Sequence, residues 1–261
     1  MTLHVVYRAA PVGNKRARPP GFSKWNCLLS FLRAADACPS VNLQFVCDGP
    51  VPEEVGRVMA AFGSVERLGG VGNSSSYRHV VARMAKLDGD ADDVGYLCED
   101  DYLHLPNALQ ALEAARADLT FGTYLSLYDH PDRYRRVDDL QPAGRAVELW
   151  GQRHWRAVES TAMTFGASLA TIRADRFLLD LAARFTHYPH DRAMWRVLQG
   201  LGVRRPVGWF RRPRRRLLST VPGLATHMEI DGLSAGVDWK EVAAEACLWA
   251  GERALPEVDG W

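Results

Sequence analysis

The first 116 residues alternate short apolar runs with amphipathic stretches, and this alternation restricts the fold more than any other feature of the chain. Strand-like runs cover residues 3–8, 41–47, 64–68 and 94–98. Between them, apolar residues recur at helical spacing, as in Trp25, Leu28, Leu29 and Leu32. Strands that alternate with helices usually pair in parallel, so we predict an α/β fold: a Rossmann-type mixed sheet flanked by helices.

The second half of the chain is less regular but contains the same two kinds of element. Strand-like patterns cover residues 119–127 and 158–168, and helical patterns cover residues 172–185, 194–201 and 239–249. A chain of 261 residues can bury one sizeable α/β core. We therefore predict a single domain over residues 1–261.

Composition and charge indicate the cellular location of the chain more than its function. Lysine and arginine number 32 against 31 aspartates and glutamates, so net charge favours neither a nucleic-acid nor a membrane partner. The five cysteines form no Cys-x-x-Cys pair, which predicts free thiols and a reducing, cytoplasmic location. We see no signal-peptide pattern and no apolar run of membrane-spanning length, so we expect no stable membrane insertion.

Three consecutive acids, Glu99, Asp100 and Asp101, follow the fourth predicted strand. Adjacent carboxylates repel one another unless positive charge lies beside them, and a divalent cation with a diphosphate is a common source of that charge. A solvated turn before a helix is the alternative. Because parallel sheets bind ligands beyond the carboxyl ends of their strands, Arg8 and Asp48, which end two other strands, strengthen the prediction of a site.

At these acids the chain resembles the GT-A glycosyltransferases. The segment is similar to the Glu-Asp-Asp variant of their Asp-x-Asp motif, as in N-acetylglucosaminyltransferase I. The resemblance implies that Asp101 binds Mn²⁺ or Mg²⁺ directly. It also implies that Glu99 and Asp100 contact the ribose or water molecules on the metal ion.

The same resemblance extends to three other segments of the first half. It implies that Arg8 lies at a uridine-binding edge and that Asp48 contacts the base or ribose. The segment from Asn73 to Ser76, with Arg83 in the helix that follows, resembles the part of the family that flanks the nucleotide. Asp48 and the serines also have simpler interpretations. Asp48 precedes a glycine in a sequence typical of a turn, and the serines are suited to cap a helix.

Two residues of the second half are candidates for chemistry. Asp191 precedes a helical pattern, and the resemblance implies a base that deprotonates the acceptor hydroxyl; a helix N-cap is the alternative. His227 matches a late histidine that binds the metal or the diphosphate, and neutral imidazole suits Mn²⁺ beside oxygen ligands. A structural histidine is the alternative, and Glu229 and Asp231 are weaker candidates.

A basic run of seven arginines lies between Arg204 and Arg216, interleaved with Trp209 and Phe210. Arginine binds phosphate in a bidentate manner, so Arg216 is a candidate contact to a leaving diphosphate. Seven arginines exceed what one diphosphate needs, and a nucleic acid or another polyanionic acceptor, such as modified DNA, is a second interpretation. A solvated basic loop is the third.

Together these patterns predict a metal-dependent, inverting glycosyltransferase that moves a hexosyl or N-acetylhexosaminyl group from a nucleoside-diphosphate sugar, with UDP favoured. Residues 1–116 would bind the donor and residues 117–261 the acceptor, with aromatic residues of segment 124–155 on the acceptor side. A nucleotidyltransferase is the first alternative, although residues 10–16 only distantly resemble its glycine- and lysine-rich loop. A non-catalytic nucleic-acid-binding protein is the second, but it has no use for three acids at a strand end.

Overall fold

The computed structural model describes residues 2–10, 16–135, 147–184, 186, 189–201, 213–259 and 261. The strands in these residues are β1 (Leu3–Ala9), β2 (Val41–Asp48), β3 (Ser64–Leu68), β4 (Val94–Glu99), β5 (Tyr102–His104), β6 (Thr123–Ser126), β7 (Val147–Trp150), β8 (Arg153–Ala157), β9 (Phe165–Ser168), β10 (Arg216–Val221) and β11 (Ala225–His227). The helices are α1 (Lys24–Asp36), α2 (Glu53–Phe62), α3 (Asn73–Met84), α4 (Ala108–Ala115), α5 (Asp132–Arg135), α6 (Leu169–Leu181), α7 (Asp191–Gln199) and α8 (Trp239–Glu252).

Nine strands form one mixed sheet in the order β3-β2-β1-β4-β9-β6-β10-β8-β7. Strands β3, β2, β1 and β4 run parallel. Strand β9 is antiparallel to both β4 and β6, so β6 and its parallel neighbour β10 return to the direction of β1. The predicted fold class, a mixed α/β sheet flanked by helices, is confirmed, and the sheet contains strands from both halves of the chain.

Alternating apolar side chains place a core on each face of the sheet. In β1, Val5 and Tyr7 belong to the cluster that packs with α1, α2, α4 and α8, whereas Val6 belongs to the cluster on α3, α6 and α7. This alternation follows from the two-residue period of a strand. Arg8 has the parity of Val6 and therefore lies on the α3 side.

Helix signals in the sequence set several boundaries. Ser23 is the N-cap of α1 and accepts a hydrogen bond from Asn26 N at 3.0 Å, as predicted. Helix α6 begins three residues earlier than its apolar pattern, because Ser168 caps it through Thr171 N. Of the strand predicted over residues 158–168, only Phe165–Ser168 is strand. Among the described helices, none is long and apolar enough to cross a membrane.

The described part of the arginine run, Arg214 to Arg216, does not lie at the carboxyl ends of the strands. Residues 202–212 are outside the described residues. Arg215 is buried and forms a bidentate ion pair with Asp175 at 2.6 and 2.7 Å. Arg216 pairs with Glu148 and begins β10, which runs in the direction of β1, so it lies at the opposite edge of the sheet from the strand ends. The structure therefore does not support Arg216 as a diphosphate contact.

The aromatic residues of segment 124–155 are mostly core. Tyr124 and Trp155 are fully buried, and Tyr128 and Trp150 are nearly so. Residues 136–146 of this segment are outside the described residues. Buried rings in a close-packed core cannot also offer a face to a sugar, so these four rings are not the predicted acceptor surface. Tyr134 differs from them, because it is 54% exposed and the Arg156 guanidinium lies over its ring at 4.6 Å.

Removing the carboxylate from the buried Asp175–Arg215 pair should destabilise the fold strongly. We expect Asp175→Ala to lower the free energy of unfolding by about 3–5 kcal/mol, because it leaves a guanidinium buried without its partner. Urea unfolding measures this loss. The exposed neighbour Arg214 supplies the control, since Arg214→Ala should change stability by less than about 0.5 kcal/mol. A loss below about 1 kcal/mol for Asp175→Ala would contradict the assignment of this pair as structural.

Candidate active site

Each of the three consecutive acids is paired with a cation of the chain itself. Glu99 pairs with Arg8, and Asp100 accepts hydrogen bonds from Lys24 Nζ at 2.9 Å and Ala10 N at 2.7 Å. Asp101 Oδ2 lies 2.8 Å from Arg18 Nη2 and 2.9 Å from His227 Nε2. The carboxylates lie at the end of β4, and the positive charge that the sequence required is supplied, in this structure, by side chains.

A small two-stranded ladder brings Asp101 and His227 together. Strand β5 begins directly after Asp101 and pairs antiparallel with β11, so that His227 lies opposite Tyr102. The imidazole stacks on the Tyr102 ring with centroids 4.9 Å apart, and Met228 N donates to Asp101 O at 2.9 Å. Two residues separated by 126 positions are therefore in direct contact.

Burial and ion pairing act in opposite directions on these carboxyls. Burial raises the pKa of Asp101, but His227 and Arg18 outweigh it and hold that pKa below its ordinary value. Burial raises the pKa of Glu99 despite Arg8, and raises that of Asp100 despite Lys24. Among the three, Asp101 is thus the carboxylate most strongly held in its charged form, which is the form that binds a metal ion.

Arg8 connects the acids to the start of α3. Its Nη1 donates to Asn73 Oδ1 at 2.7 Å, to Asn73 O at 3.1 Å and to Ser76 Oγ at 2.9 Å, while Nη2 reaches Glu99. Asp48 accepts a hydrogen bond from Val71 N at 2.7 Å, which fixes the loop before α3. The structure therefore brings Arg8, Asn73, Ser76 and Glu99 into one network and places Asp48 beside the loop that leads to it.

Arg83 does not join this network. It lies in the last turn of α3, where it bonds Gln44 Oε1 at 2.6 Å and pairs with Glu66. A helix that follows a parallel strand begins near the carboxyl edge of the sheet and returns towards the other edge. Ten residues of helix span about 15 Å, so Arg83 is remote from the strand ends that Arg8 reaches.

Asp191 is the first residue of α7, and His190 rather than Asp191 is the N-cap. Burial raises the pKa of Asp191, and Arg192 N, Arg16 and His227 act against that increase. The charges of Arg16 and His227 influence Asp191 only because they lie near it. Asp191 therefore lies near His227, the imidazole that contacts Asp101.

The sequence analysis did not assign to the site the cations that lie between β1 and the first residue of α1. Arg16 pairs with Glu229 at 2.6 Å, Arg18 with Asp101, and Lys24 with Asp100. The signal was available, because the segment after the first strand must begin at the carboxyl edge, where the acids also lie. What the sequence did not show is the path that carries each cation to one particular acid.

The Asp101–His227 pair has dimensions that suit a divalent cation. Two ligands at right angles, each about 2.1 Å from an octahedral ion, are about 3.0 Å apart, and Oδ2 and Nε2 are 2.9 Å apart. Within the described ranges, no three His, Cys, Asp or Glu side chains form a group that could hold a metal ion. The same 2.9 Å is an ordinary hydrogen-bond distance, so the pair offers at most two of the ligands that an octahedral ion takes.

No protein-family model matches the chain, and no curated protein is similar to it in sequence. Among solved structures, it is similar to CMP:2-keto-3-deoxy-manno-octonic acid synthetase complexed with CTP, with 14% identity, a TM-score of 0.45 and coverage of 97% of this chain and 100% of the other. It is similar to Staphylococcus aureus TarS 1-349 with 11% identity, a TM-score of 0.43 and coverage of 72% and 55%.

A third similar structure is 4-diphosphocytidyl-2C-methyl-D-erythritol synthase from Anaerococcus prevotii, with 12% identity, a TM-score of 0.45 and coverage of 95% and 96%. TM-scores below 0.5 carry no weight for the chemistry of a site. The function of this chain therefore has to be inferred from its own residues.

His104, on β5 beside the site, should make stability depend on pH. Burial lowers the pKa of this imidazole to about 4, whereas an unfolded histidine has a pKa of about 6.5. The unfolded state therefore binds a proton first, and stability is complete above pH ~6.5 and is lost as pH falls towards ~4. The full loss is about 3 kcal/mol.

Urea unfolding between pH 7 and pH 4 tests this dependence. We expect His104→Gln, which cannot take up the proton, to show a shallower decline over this range than the wild-type protein. The difference between the two curves isolates His104 from the carboxylates that titrate nearby. Parallel curves would mean that the imidazole takes up a proton as readily in the folded protein as in the unfolded one.

Proposed function

We propose that this protein transfers a sugar from a nucleoside-diphosphate sugar to an acceptor hydroxyl, with a divalent cation, Mn²⁺ or Mg²⁺, at Asp101 and His227. The observation that carries the proposal is the contact between Asp101 and His227 at the carboxyl edge of the sheet. Asp191 lies near enough to His227 for the charge of the imidazole to act on the pKa of this carboxyl. A pair of candidate metal ligands and a partly buried carboxylate near them are the two parts that inverting transfer requires.

In this mechanism each part of the chain has a separate task. A divalent cation held by Asp101 and His227 would offset the charge that develops on the diphosphate leaving group. Asp191 would accept the proton of the attacking hydroxyl, and its raised pKa makes it a stronger base than an ordinary aspartate. Arg8 would hold Glu99 and the start of α3 in place beside the nucleotide.

Donor binding is the first test of the proposal. We expect one of UDP, GDP, TDP, CDP and ADP to raise the thermal stability of the protein with Mn²⁺ and not with EDTA. A ligand at 100 times its dissociation constant adds about 2.7 kcal/mol to stability. Asp101→Asn should abolish the metal-dependent increase, because it removes the charged metal ligand.

The control for that variant is Asp88→Asn. Asp88 is exposed and lies between α3 and β4, away from the strand ends, so its substitution should leave the nucleotide effect intact. A folded wild-type protein that no nucleotide stabilises, with or without metal, would exclude the proposed donor site.

Asp191→Asn should separate binding from chemistry. We expect this variant to keep the metal-dependent stabilisation by the nucleotide and to lose transfer by a factor of about 10²–10⁴, because an amide cannot take up the acceptor proton. Transfer is measured by release of the nucleoside diphosphate in the presence of acceptor. Unchanged transfer would assign the base to another residue.

Nucleotidyl transfer is a second candidate, and the cations from Arg16 to the first residue of α1 favour it. Arg16, Arg18 and Lys24 place three positive groups beside the acids, more than a diphosphate alone needs. The same stability measurement distinguishes the two functions. A nucleotidyltransferase would be stabilised by a nucleoside triphosphate, such as CTP or UTP, more than by any nucleoside diphosphate or its sugar.

A further inference from the structure

The cation position of the site is already occupied by a guanidinium group. Asp101 Oδ2, the oxygen that would bind the metal ion, accepts from Arg18 Nη2 at 2.8 Å as well as lying 2.9 Å from His227 Nε2. The other nitrogen of the fork, Arg18 Nη1, donates to Met228 O at 2.7 Å. Arg18 therefore bridges the acidic strand end and the residue after β11.

The charges of the site also oppose a metal ion that binds alone. Arg18 and His227 both lie on Asp101, and Arg16 lies nearby on Glu229. Adding two further positive charges at Asp101 without an anion would place like charges within a few ångströms in a partly buried region. A diphosphate that arrives with the metal ion removes this repulsion and gives the guanidinium a new bidentate partner.

The segment that carries Arg18 is built to present cations at the site. Arg16 is two residues away with its side chain 73% exposed, whereas the Arg18 side chain is 16% exposed and lies over the Phe22 ring at 4.6 Å. That contact is made by the guanidinium carbon, and a guanidinium over a ring donates its hydrogen bonds from its edges. Arg18 can thus change its anionic partner while it stays over Phe22.

We propose that Arg18 holds the cation position until the donor arrives, and then moves from Asp101 to the donor's diphosphate as the metal ion binds. The inference rests on the proposed function and goes further, because it makes Arg18 a donor-binding residue and couples metal to diphosphate. Metal and diphosphate then bind tightly together, and the metal ion binds weakly alone.

The test is the affinity for Mn²⁺ alone, followed by the electron paramagnetic resonance signal of the free ion. Arg18→Gln should bind Mn²⁺ at least about tenfold more tightly than the wild-type protein, because a competing charge is removed from Asp101. With Mn²⁺ saturating, the same variant should bind UDP about tenfold more weakly, because the diphosphate has lost a bidentate partner. A general loss of structure would weaken the affinity for Mn²⁺ and the affinity for UDP together, so a rise in one and a fall in the other would not be explained by it.

The matched control is Arg57→Gln, an arginine on α2 whose side chain is 68% exposed. It should leave both affinities at the wild-type values. If Arg18→Gln folds poorly, Arg18→Met keeps an apolar stem against Phe22 and predicts the same two changes. Folding of each variant is checked by its cooperative urea transition.

The outcomes separate the inference from the proposed function. An unchanged Mn²⁺ affinity in Arg18→Gln and Arg18→Met, with metal-dependent UDP binding intact, would overturn the exchange and leave the function standing. Wild-type protein that binds UDP equally well in EDTA would overturn the coupling and also the metal dependence of the proposed function. If the wild-type protein binds no nucleotide under any condition, the proposed function fails and the inference fails with it.

Discussion

The ion pairs at the end of β4 are the constraint on which the site depends. Of the three consecutive carboxylates there, Asp100 and Asp101 are buried and Glu99 is partly buried. Isolated charges in buried surroundings would cost several kcal/mol each. Each acid is instead held by a cation from elsewhere: Glu99 by Arg8, Asp100 by Lys24 and Asp101 by Arg18 with His227. These pairs fix the segment after β1, the start of α3 and the β11 strand relative to one another. A change to any one acid therefore alters more than its own contact.

The β5–β11 ladder explains why the site needs both halves of the chain. Each strand has only three residues, yet their register places His227 opposite Tyr102 and against Asp101. Two short strands gain little from pairing alone, so side-chain contacts such as the stack of His227 on Tyr102 contribute to holding the register. The candidate site thus takes residues from both sides of residue 116, where the sequence predicted a boundary between a donor half and an acceptor half. The residue that would complete the metal position comes from the last fifth of the sequence.

The sequence predicted the positions of strand ends better than it predicted contacts. Arg8, Asp48 and Glu99 could be assigned to one edge because parallel strands end at the same side of a sheet. Arg83 was placed near them because its helix follows Asn73 to Ser76, and Arg216 because arginine binds phosphate. Arg83 ends a helix and Arg216 begins a strand, and both positions correspond to the opposite edge, so the same topological rule could have excluded them. Residue chemistry alone did not distinguish a phosphate contact from an ion pair with Glu66 or Glu148.

The ladder itself and the pairing of each cation could not be predicted in this way. A three-residue strand has no measurable periodicity, and which arginine reaches which acid depends on the path of a loop that contains three prolines. From the sequence, three adjacent acids indicated an external cation, whereas the folded chain can balance them with its own guanidinium and ammonium groups. Lys24 and Arg8 are buried and bound at several atoms, which suits a permanent structural role. Of the three acids, Arg18 contacts Asp101, which also contacts the His227 imidazole. If a metal ion replaced Arg18, that ion would find a carboxylate and an imidazole, which are ligands suited to it.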